Sequence, residues 1–286
     1  MSHYWRHPVV PHIEIRNVED GRTFTHGRHS HTTFSIGAIM TGQSTYLHGH
    51  SSRPIASGSV VIINPGVVHA CNPLHDQPWG YRMFYVDTNW LGSLQQQTGI
   101  DAGGGFVPFE ENYSNDSTLF AELDTLYCTL TGINTTPENM QDATQDFFQR
   151  LVARLTPTSS HDASSQRKVS DAADFIREHC IQSLSVEEIA AAVQLSQSYL
   201  IRTFKAHYGL TPHAFLINCR LQLARDCLRR GDDIAQVAAH VGFADQAHLQ
   251  RLFKRTLAAT PGQYRGLVTL STDKRRNPPA MRPCPD

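Results

Sequence analysis

The segment IAQVAAHVGFADQAHLQRLFKRTLAATPGQYR, residues 234–265, decides the fold of the C-terminal half of this chain. A short stretch with helical spacing of apolar residues leads to Gly242, and a longer stretch with the same spacing ends before Thr260-Pro261. Glycine suits the junction because it adopts a left-handed backbone without steric cost. The segment therefore predicts a short helix, a tight turn and a longer helix.

The same pattern occurs once before, 48 or 49 residues upstream. The corresponding positions are Ile189, Val193, Leu195, Leu200, Arg202, Phe204, Lys205, Thr211 and Pro212 in the first copy, and Val237, Val241, Phe243, Leu249, Arg251, Phe253, Lys254, Thr260 and Pro261 in the second. Ser185 and Glu188 form a capping box ahead of the first copy. Apolar residues repeat every three or four positions from Ala214 to Leu228, which predicts a connecting helix that Gly231 ends. The C-terminal half is thus predicted to be an all-α double helix-turn-helix.

The second helix of such a motif lies in the major groove of DNA, so one of its faces is apolar and the other offers hydrogen-bond donors. The predicted inward residues are Leu200, Phe204 and His207 in the first copy, and Leu249, Leu252 and Phe253 in the second. The predicted outward residues are Gln197, Ser198, Arg202 and Lys205, and then Gln246, His248, Arg251 and Lys254. The alternative is that these outward residues are only the solvated faces of a helical bundle. The repeated outward arginine favours DNA binding.

Residues 169–267 resemble the double helix-turn-helix domain of AraC/XylS-type transcription regulators, with residues 234–265 included in the match. The resemblance implies that both recognition helices bind successive major-groove segments on one face of double-stranded DNA. It also implies base contacts at Ser198 and Arg202, and at Gln246, Ala247 and Arg251. RNA polymerase is a further expected partner if the protein is an activator.

Charge is unevenly distributed along a chain whose overall net charge is −1. Residues 1–167 carry 9 Arg against 15 acidic residues, a net of −6, whereas residues 168–286 carry 16 Lys and Arg against 11 acidic residues, a net of +5. A basic half suggests contact with a polyanion. No apolar run reaches the roughly 20 residues of a membrane span, and the N-terminus lacks a signal-peptide pattern. We expect a cytoplasmic protein that does not contact membranes.

The N-terminal half has a different periodicity. Residues 34–40, 59–63 and 81–86 are short apolar runs bounded by turn-forming residues, which predicts a small antiparallel β-barrel or sandwich. Residues 117–131 and 136–155 show helical spacing, and Thr136-Pro137 is a good helix start. The overall prediction is a two-domain α+β protein. The predicted units are residues 1–110 for the barrel, 111–156 for the helical pair, 157–167 for a Ser/Thr-rich linker, 168–268 for the DNA-binding domain and 269–286 for a disordered tail.

Residues 22–86 resemble the two motifs of the cupin barrel, through His29-x-His31 with Gly42 and then Gly58, Pro65-Gly66, His69 and Asn72. Metal-binding cupins have a glutamate after the histidine pair, and that position here is Ser35. We therefore expect a pocket that binds a small polar effector without a metal or another cofactor. Zinc or iron held by the three imidazoles, or histidines that only stabilise strands, remain alternatives. The candidate effector-binding residues are His29, His31, Phe34, Ser35, His69, Trp79 and Tyr81.

The leading interpretation is an effector-responsive transcriptional regulator that is not an enzyme. The resemblance places homodimerisation at the helical pair, although the pair has the alternative role of packing only on its own barrel. The competing function is a cupin enzyme with a DNA-binding appendage. Ser35 argues against the enzyme because it replaces the expected carboxylate.

Overall fold

The computed structural model describes residues 2–22, 26–74, 77–100, 105–158 and 164–266. The strands are β1 (Ser2–Trp5), β2 (Ile13–Val18), β3 (Phe34–His48), β4 (Ser51–Ala56), β5 (Val60–Ile63), β6 (His69–Pro73), β7 (Trp79–Val86) and β8 (Tyr113–Ser114). The helices are α1 (Thr88–Gln97), α2 (Ser117–Thr131), α3 (Pro137–Arg154), α4 (Ser164–His179), α5 (Val186–Ala192), α6 (Gln197–Tyr208), α7 (Pro212–Arg229), α8 (Ile234–His240), α9 (Gln246–Leu257) and α10 (Pro261–Gly266). An N-terminal β-sheet followed by a helical region confirms the predicted fold class.

The long strand β3 organises the sheet domain, by which we mean β1 to β8. Its first half, up to Gly42, pairs antiparallel with β7 and β5, and its second half, from Gln43 onwards, pairs with β4 and β6. The register with β7 shifts between Ile39 and Thr41, just before the strand changes partners. Bulges of this kind bend a strand and let it join two layers. The interior of the sheet domain lies between these layers.

Side chains alternate between two faces along these strands. On β7, Tyr81, Met83 and Tyr85 point into the sheet interior, whereas Phe84 and Val86 point to the opposite face. That opposite face is covered by α2 and α3, which contribute buried residues to the same apolar cluster. The two helices begin as the sequence predicted, and Thr136 caps α3 through a hydrogen bond from Asn139 N–H. Their apolar faces are used inside this chain.

The helical half contains two copies of the helix-turn-helix, α5–α6 and α8–α9, with α7 between them. The Ser185–Glu188 capping box is formed, and Gly231 and Gly242 have left-handed backbones with φ of +91° and +83°. His207 is exposed, contrary to the prediction that it faces inward. The inward residue is Tyr208, four positions after Phe204, and their rings lie 4.7 Å apart.

Helix α4 begins at Ser164, inside the predicted linker. Its apolar stripe at Val169, Ala172 and Ile176 packs in the first helix-turn-helix core. Tertiary packing of that stripe stabilises the helix, and helix formation then extends towards its N-terminus through the preceding residues. The predicted tail, residues 269–286, and the linker residues 159–163 lie outside the described part of the chain.

Candidate DNA-binding surface and effector cavity

The two recognition helices, α6 and α9, are built in the same way. Ser196 caps α6 by accepting a hydrogen bond from Tyr199 N–H, and Asp245 caps α9 by accepting one from His248 N–H. Leu200 and Phe204 anchor α6 in the core, as Leu249 and Phe253 anchor α9. All four side chains are fully buried, so each helix presents a fixed outward face.

Eight of the nine predicted DNA-binding residues are exposed on these outward faces. They are Gln197, Ser198, Arg202 and Lys205 on α6, and Gln246, Ala247, Arg251 and Lys254 on α9. The ninth, His248, is half-buried, because its ring packs edge-on against Phe243 at a centroid distance of 5.3 Å. His248 therefore has less freedom to reach DNA than its neighbours.

The sequence interpretation missed two outward residues of α6, Tyr199 and Ile201, which are 45% and 39% exposed. The guanidinium of Arg202 lies 5.4 Å from the centre of the Tyr199 ring. The spacing contained the signal for Ile201, which lies three positions after Ser198 and therefore on the same side of the helix. Apolar outward residues of this kind contact thymine methyl groups in major grooves.

A cavity lies in the sheet interior, and five of the seven predicted effector-binding residues line it: His29, His31, His69, Trp79 and Tyr81. The other lining residues are Arg16, His26, Gly37, Ile39, Cys71, Met83, Tyr85 and Leu257. Most of them come from β2, β3, β6 and β7, whose inward positions converge here. The sequence thus located the cavity but identified only part of its wall.

Phe34 and Ser35 are adjacent on a strand, so their side chains point to opposite faces of the sheet. Phe34 is packed against the rings of Phe106 and Phe109 on the face that the helices cover. The prediction that Phe34 faces the pocket is therefore corrected. Ser35 lies on the interior face and is fully buried, and its hydroxyl has no hydrogen-bond partner among the described residues. It does not reach the cavity wall.

His29, His31 and His69 come together as a cluster in which one ring nitrogen of each lies within 4.8 Å of the others. Burial lowers the pKa of His29 to about 3, and the neighbouring His26 contributes to the shift. Burial likewise lowers the pKa of His31 and of His69, with His29 as a second cause for both. All three imidazoles are therefore neutral near pH 7.

Hydrogen bonds fix the tautomer of each neutral ring. Nδ1–H of His29 donates to the Gly27 carbonyl at 2.7 Å and Nδ1–H of His69 donates to the Val67 carbonyl at 3.0 Å, since a carbonyl only accepts. Nδ1 of His31 instead accepts a hydrogen bond from the guanidinium of Arg225 at 3.0 Å, since arginine only donates. Nε2 is thus a lone pair on His29 and His69 and an N–H on His31.

This arrangement does not fit a metal held by all three imidazoles. The Nε2 atom of His31 carries the proton, and its Nδ1 lone pair is already used by a cation, the guanidinium of Arg225. A metal ligand has to offer a free lone pair. The cluster instead offers two hydrogen-bond acceptors and one donor.

The cavity has a volume of about 30 Å³. A water molecule needs roughly 10–15 Å³ measured in this way, so there is room for about two or three waters. An organic effector of several heavy atoms does not fit until part of the wall moves.

Arg225 of α7 is 4% exposed and joins the helical half to the sheet domain. Its guanidinium forms an ion pair with Glu14 at 3.0 Å, and Glu14 also accepts a hydrogen bond from the Tyr264 hydroxyl at 2.9 Å and pairs with Arg6 at 2.6 Å. Burial alone raises the pKa of Glu14, but Arg225 and Arg6 reverse the effect and hold it at about 2. Sequence reasoning missed this cluster because Glu14 lies 211 residues from Arg225 and 250 residues from Tyr264 in the chain.

Two features now define the class of protein: paired recognition helices, and a sheet domain with a small internal cavity. Family models for an AraC-like ligand binding domain and for a Helix-turn-helix domain match residues 14–173 and 189–266. The chain belongs to the AraC family of DNA-binding transcriptional regulators, with an N-terminal ligand-binding domain. Among the described residues, no helix is long and apolar enough to cross a membrane.

Individual relatives agree with this assignment. The regulator MtrA of Neisseria gonorrhoeae is 39% identical over 82 residues, which are 28% of this chain and 27% of MtrA. The regulator YbfI of Bacillus subtilis is 24% identical over 248 residues, which are 84% of this chain and 87% of YbfI. A crystal structure of ToxT from Vibrio cholerae has a TM-score of 0.55 at 13% identity and covers 90% of this chain and 97% of that one. The last likeness concerns the fold.

Proposed function

We propose that this regulator recognises its operator through the outward faces of α6 and α9, with Arg202 and Arg251 as the principal base-reading residues. The observation that carries the proposal is that both arginines are exposed at equivalent positions of two helices with equivalent caps and anchors. Arginine binds guanine through two hydrogen bonds. The remaining predicted DNA-binding residues then contact neighbouring bases or phosphates.

The sheet domain acts as the sensor in this proposal. A small organic effector binds at the cavity without a metal, contacting His29, His31, His69, Trp79 and Tyr81. Support comes from the buried acceptors and donor of the histidine cluster beside aromatic rings, a combination that orients a ligand and buries its apolar part. Residues 1–110 form this sensor, and residues 168–268 form the DNA-binding domain.

We further propose where the protein acts and which partners it contacts. The protein acts in the cytoplasm, where it meets DNA, as a homodimer held by the outer surface of the helical pair. It contacts RNA polymerase if it activates transcription, and it is not an enzyme. Support for the last point is that the family and the relatives named above are transcriptional regulators.

In vitro selection of DNA by the full chain, followed by footprinting, tests the operator proposal. We expect two protected segments on one face of the duplex, separated by about one helical turn of roughly 34–36 Å. Protection of a single segment would show that only one recognition helix binds. Failure to enrich any sequence would contradict sequence-specific binding.

The effector proposal has a separate test. A metabolite library is screened for compounds that change the operator affinity of the full chain, and each hit is repeated on the double variant His29→Ala/His69→Ala. The variant should lose the response while it keeps effector-free DNA binding, because a ligand acts only through its different affinity for two states. Chelation should leave the wild-type response unchanged. Stoichiometric bound metal and loss of the response on chelation would contradict the metal-free proposal.

A further inference from the structure

A groove of about 500 Å³ lies between the two helix-turn-helix units. One of its sides is a face of the N-terminal half of α7, with Ala214 and Ile217 among the contributors, and another is a face of α9, with His248 and Arg255. The sheet domain completes the lining with Arg28, which comes just before the histidine cluster in the chain. We call this space the central groove.

The ionisable side chains that line the central groove are all basic. Arg28 and Arg255 line it together with His213 and His248, and no aspartate or glutamate is among its lining residues. Both arginines are exposed, and among the described residues neither guanidinium is paired with a carboxylate. Two like charges that share a groove without a counterion attract an anion. The central groove is therefore suited to a negatively charged group.

The α9 side of the central groove continues the outward face of that helix. Arg255 lies four positions after Arg251, and His248 lies three positions before it, so the three side chains are neighbours on one side of the helix. Arg251 is exposed at the middle of the face that we propose reads the operator. The groove thus opens beside the DNA-reading surface.

The position of the central groove matches a backbone segment of DNA. Leu210, two residues after the end of α6, lines the groove on one side, and His248 and Arg255 of α9 line it on another. When two recognition helices occupy successive major-groove segments on one face of a duplex, that face presents the minor groove between them, bordered by two phosphate backbones. A groove between the helices therefore faces those phosphates.

The backbone on both sides of Arg28 is held by hydrogen bonds. Before it, Gly27 N–H donates to the Arg255 carbonyl at 3.2 Å, and after it, His29 N–H donates to the His69 carbonyl at 3.2 Å. The side chain between these two anchored residues is exposed. A cation whose backbone is already in place loses less conformational freedom when it binds a ligand.

We propose that the central groove binds a phosphate of the DNA backbone between the two major-groove segments, with Arg28 of the sheet domain and Arg255 of α9 as the contacting cations. Arginine stays charged and forms two parallel hydrogen bonds to phosphate oxygens. Such a contact adds affinity and fixes the position of the protein on the duplex, but it carries no base information. This inference rests on the proposed function, since it takes α6 and α9 as the recognition helices, and it adds the sheet domain to the DNA interface.

Arg28→Ala and Arg255→Ala test the site in the full chain, with Arg53→Ala as the matched control. Arg53 is an exposed arginine of β4 that does not line the groove. The affinity for an unrelated duplex is measured over a salt series, because phosphate contacts do not depend on sequence. Each groove variant should lower the slope of log affinity against log salt concentration by about one unit. It should also weaken binding about tenfold at low salt, the factor expected when a charge-assisted hydrogen bond is lost. Arg53→Ala, and Arg28→Lys, which keeps the charge, should leave the slope unchanged.

A second measurement locates the phosphate on a selected operator. Neutral methylphosphonate linkages replace the phosphates between the two protected segments. Wild-type protein should bind this operator about tenfold more weakly than the unmodified one. Arg28→Ala should lose little further affinity, because the variant already lacks the contact that the methylphosphonate removes. Methylphosphonates placed outside the protected segments are the control.

The outcomes separate this inference from the proposed function. An unchanged salt slope in Arg28→Ala would overturn the inference, and so would losses from Arg28→Ala and from the methylphosphonates that simply add. A loss in Arg28→Ala that depends on the base pairs between the two segments would also overturn it, because the guanidinium would then lie in the minor groove. If selection enriches no operator, the proposed sequence-specific function fails, while the salt slopes on unrelated DNA still decide whether Arg28 contacts phosphate.

Discussion

At the residue scale, four histidines inside the sheet domain are buried without charge. Burial lowers the pKa of His26 and of His29 to about 3, with Arg16 a second cause for His26. It also lowers the pKa of His31 and of His69 well below the ordinary value of 6.5. Their hydrogen bonds to backbone carbonyls and to Arg225 need specific tautomers. Protonation would place a buried positive charge on each ring, and on His31 it would remove the lone pair that accepts from Arg225.

The stability of the sheet domain should therefore decrease as the pH falls below 6.5. In that range the unfolded chain binds protons at these histidines and the folded chain does not, until pH 3 is approached. Each histidine lowers the free energy of unfolding by about 1.4 kcal/mol per pH unit. Urea unfolding at pH 7.5, 6.5 and 5.5 measures the slope. His29→Asn should flatten it by one histidine's share, whereas His213→Asn, at an exposed position, should leave it unchanged.

Arg202 and Arg251 are the residues for which we expect the largest losses of DNA binding. Replacement by alanine should cost about 1–3 kcal/mol each and relax specificity at one base pair, if the guanidinium reads a base. If it contacts phosphate, the loss should be uniform across sequences and the salt slope should fall by about one unit. Competition binding with single-base operator variants distinguishes a base contact from a phosphate contact. Unchanged affinity would exclude the substituted arginine from the interface.

At the element scale, the helical pair α2–α3 has its apolar face buried against its own sheet domain. The surface left for a second subunit is a groove of about 270 Å³ between the two helices, with Ala121, Thr125, Asp146 and Arg150 among its lining residues. Its lining is mainly apolar, with Ala121, Leu126 and Phe147 among the contributors, and Arg150 at its edge pairs with Glu122. The proposed dimer therefore depends on close approach of small and apolar residues in the groove.

Thr125→Arg tests the proposed dimer surface. It places a large cation in the groove, and burying an unpaired charge should raise the dimer dissociation constant by about 100-fold or more. Light scattering coupled to gel filtration measures the mass across a dilution series. Gln141→Arg, on an exposed part of α3 outside the groove, is the control. An unchanged dimer in Thr125→Arg would place the interface elsewhere.

At the scale of the whole molecule, one buried carboxylate connects the two domains. Glu14 of β2 is 4% exposed and lies between Arg6 of the sheet domain and Arg225 of α7. The pair with Arg225 is buried on both sides, with side-chain exposures of 5% each. Removing the carboxylate leaves two guanidinium groups buried near each other.

Glu14→Gln should therefore lower the free energy of unfolding by about 3–5 kcal/mol, the usual cost of breaking a buried ion pair from one side. Asp20→Asn, which removes an exposed ion pair with Arg22, should leave the stability close to that of the wild type, because solvent screens exposed ion pairs. Calorimetry of the two variants and the wild type gives the comparison. A Glu14→Gln protein as stable as wild type would show that the cluster does not hold the domains together.

The sequence by itself determined the parts of this protein that depend on local periodicity and on a repeat. Helical spacing, caps at Thr136 and Ser185, and glycines at positions that need a left-handed backbone located α2, α3 and the double helix-turn-helix. The same helical spacing predicted which residues of α6 and α9 point outward. The sequence assigned His207 and Phe34 to the wrong face of their helix and strand. Which of two adjacent positions faces a given partner depends on what packs against the element.

Only the tertiary structure decided how the two halves meet. Arg225, Leu257 and Glu14 carry no local pattern that marks them as partners, because their contacts join residues separated by about two hundred positions. The histidine cluster was predicted as three separate residues, and the tautomer of His31 depends on Arg225 from the other domain. Charge pairing, cavity volume and tautomer are properties of groups brought together in space, and periodicity along the chain does not encode which distant groups will meet.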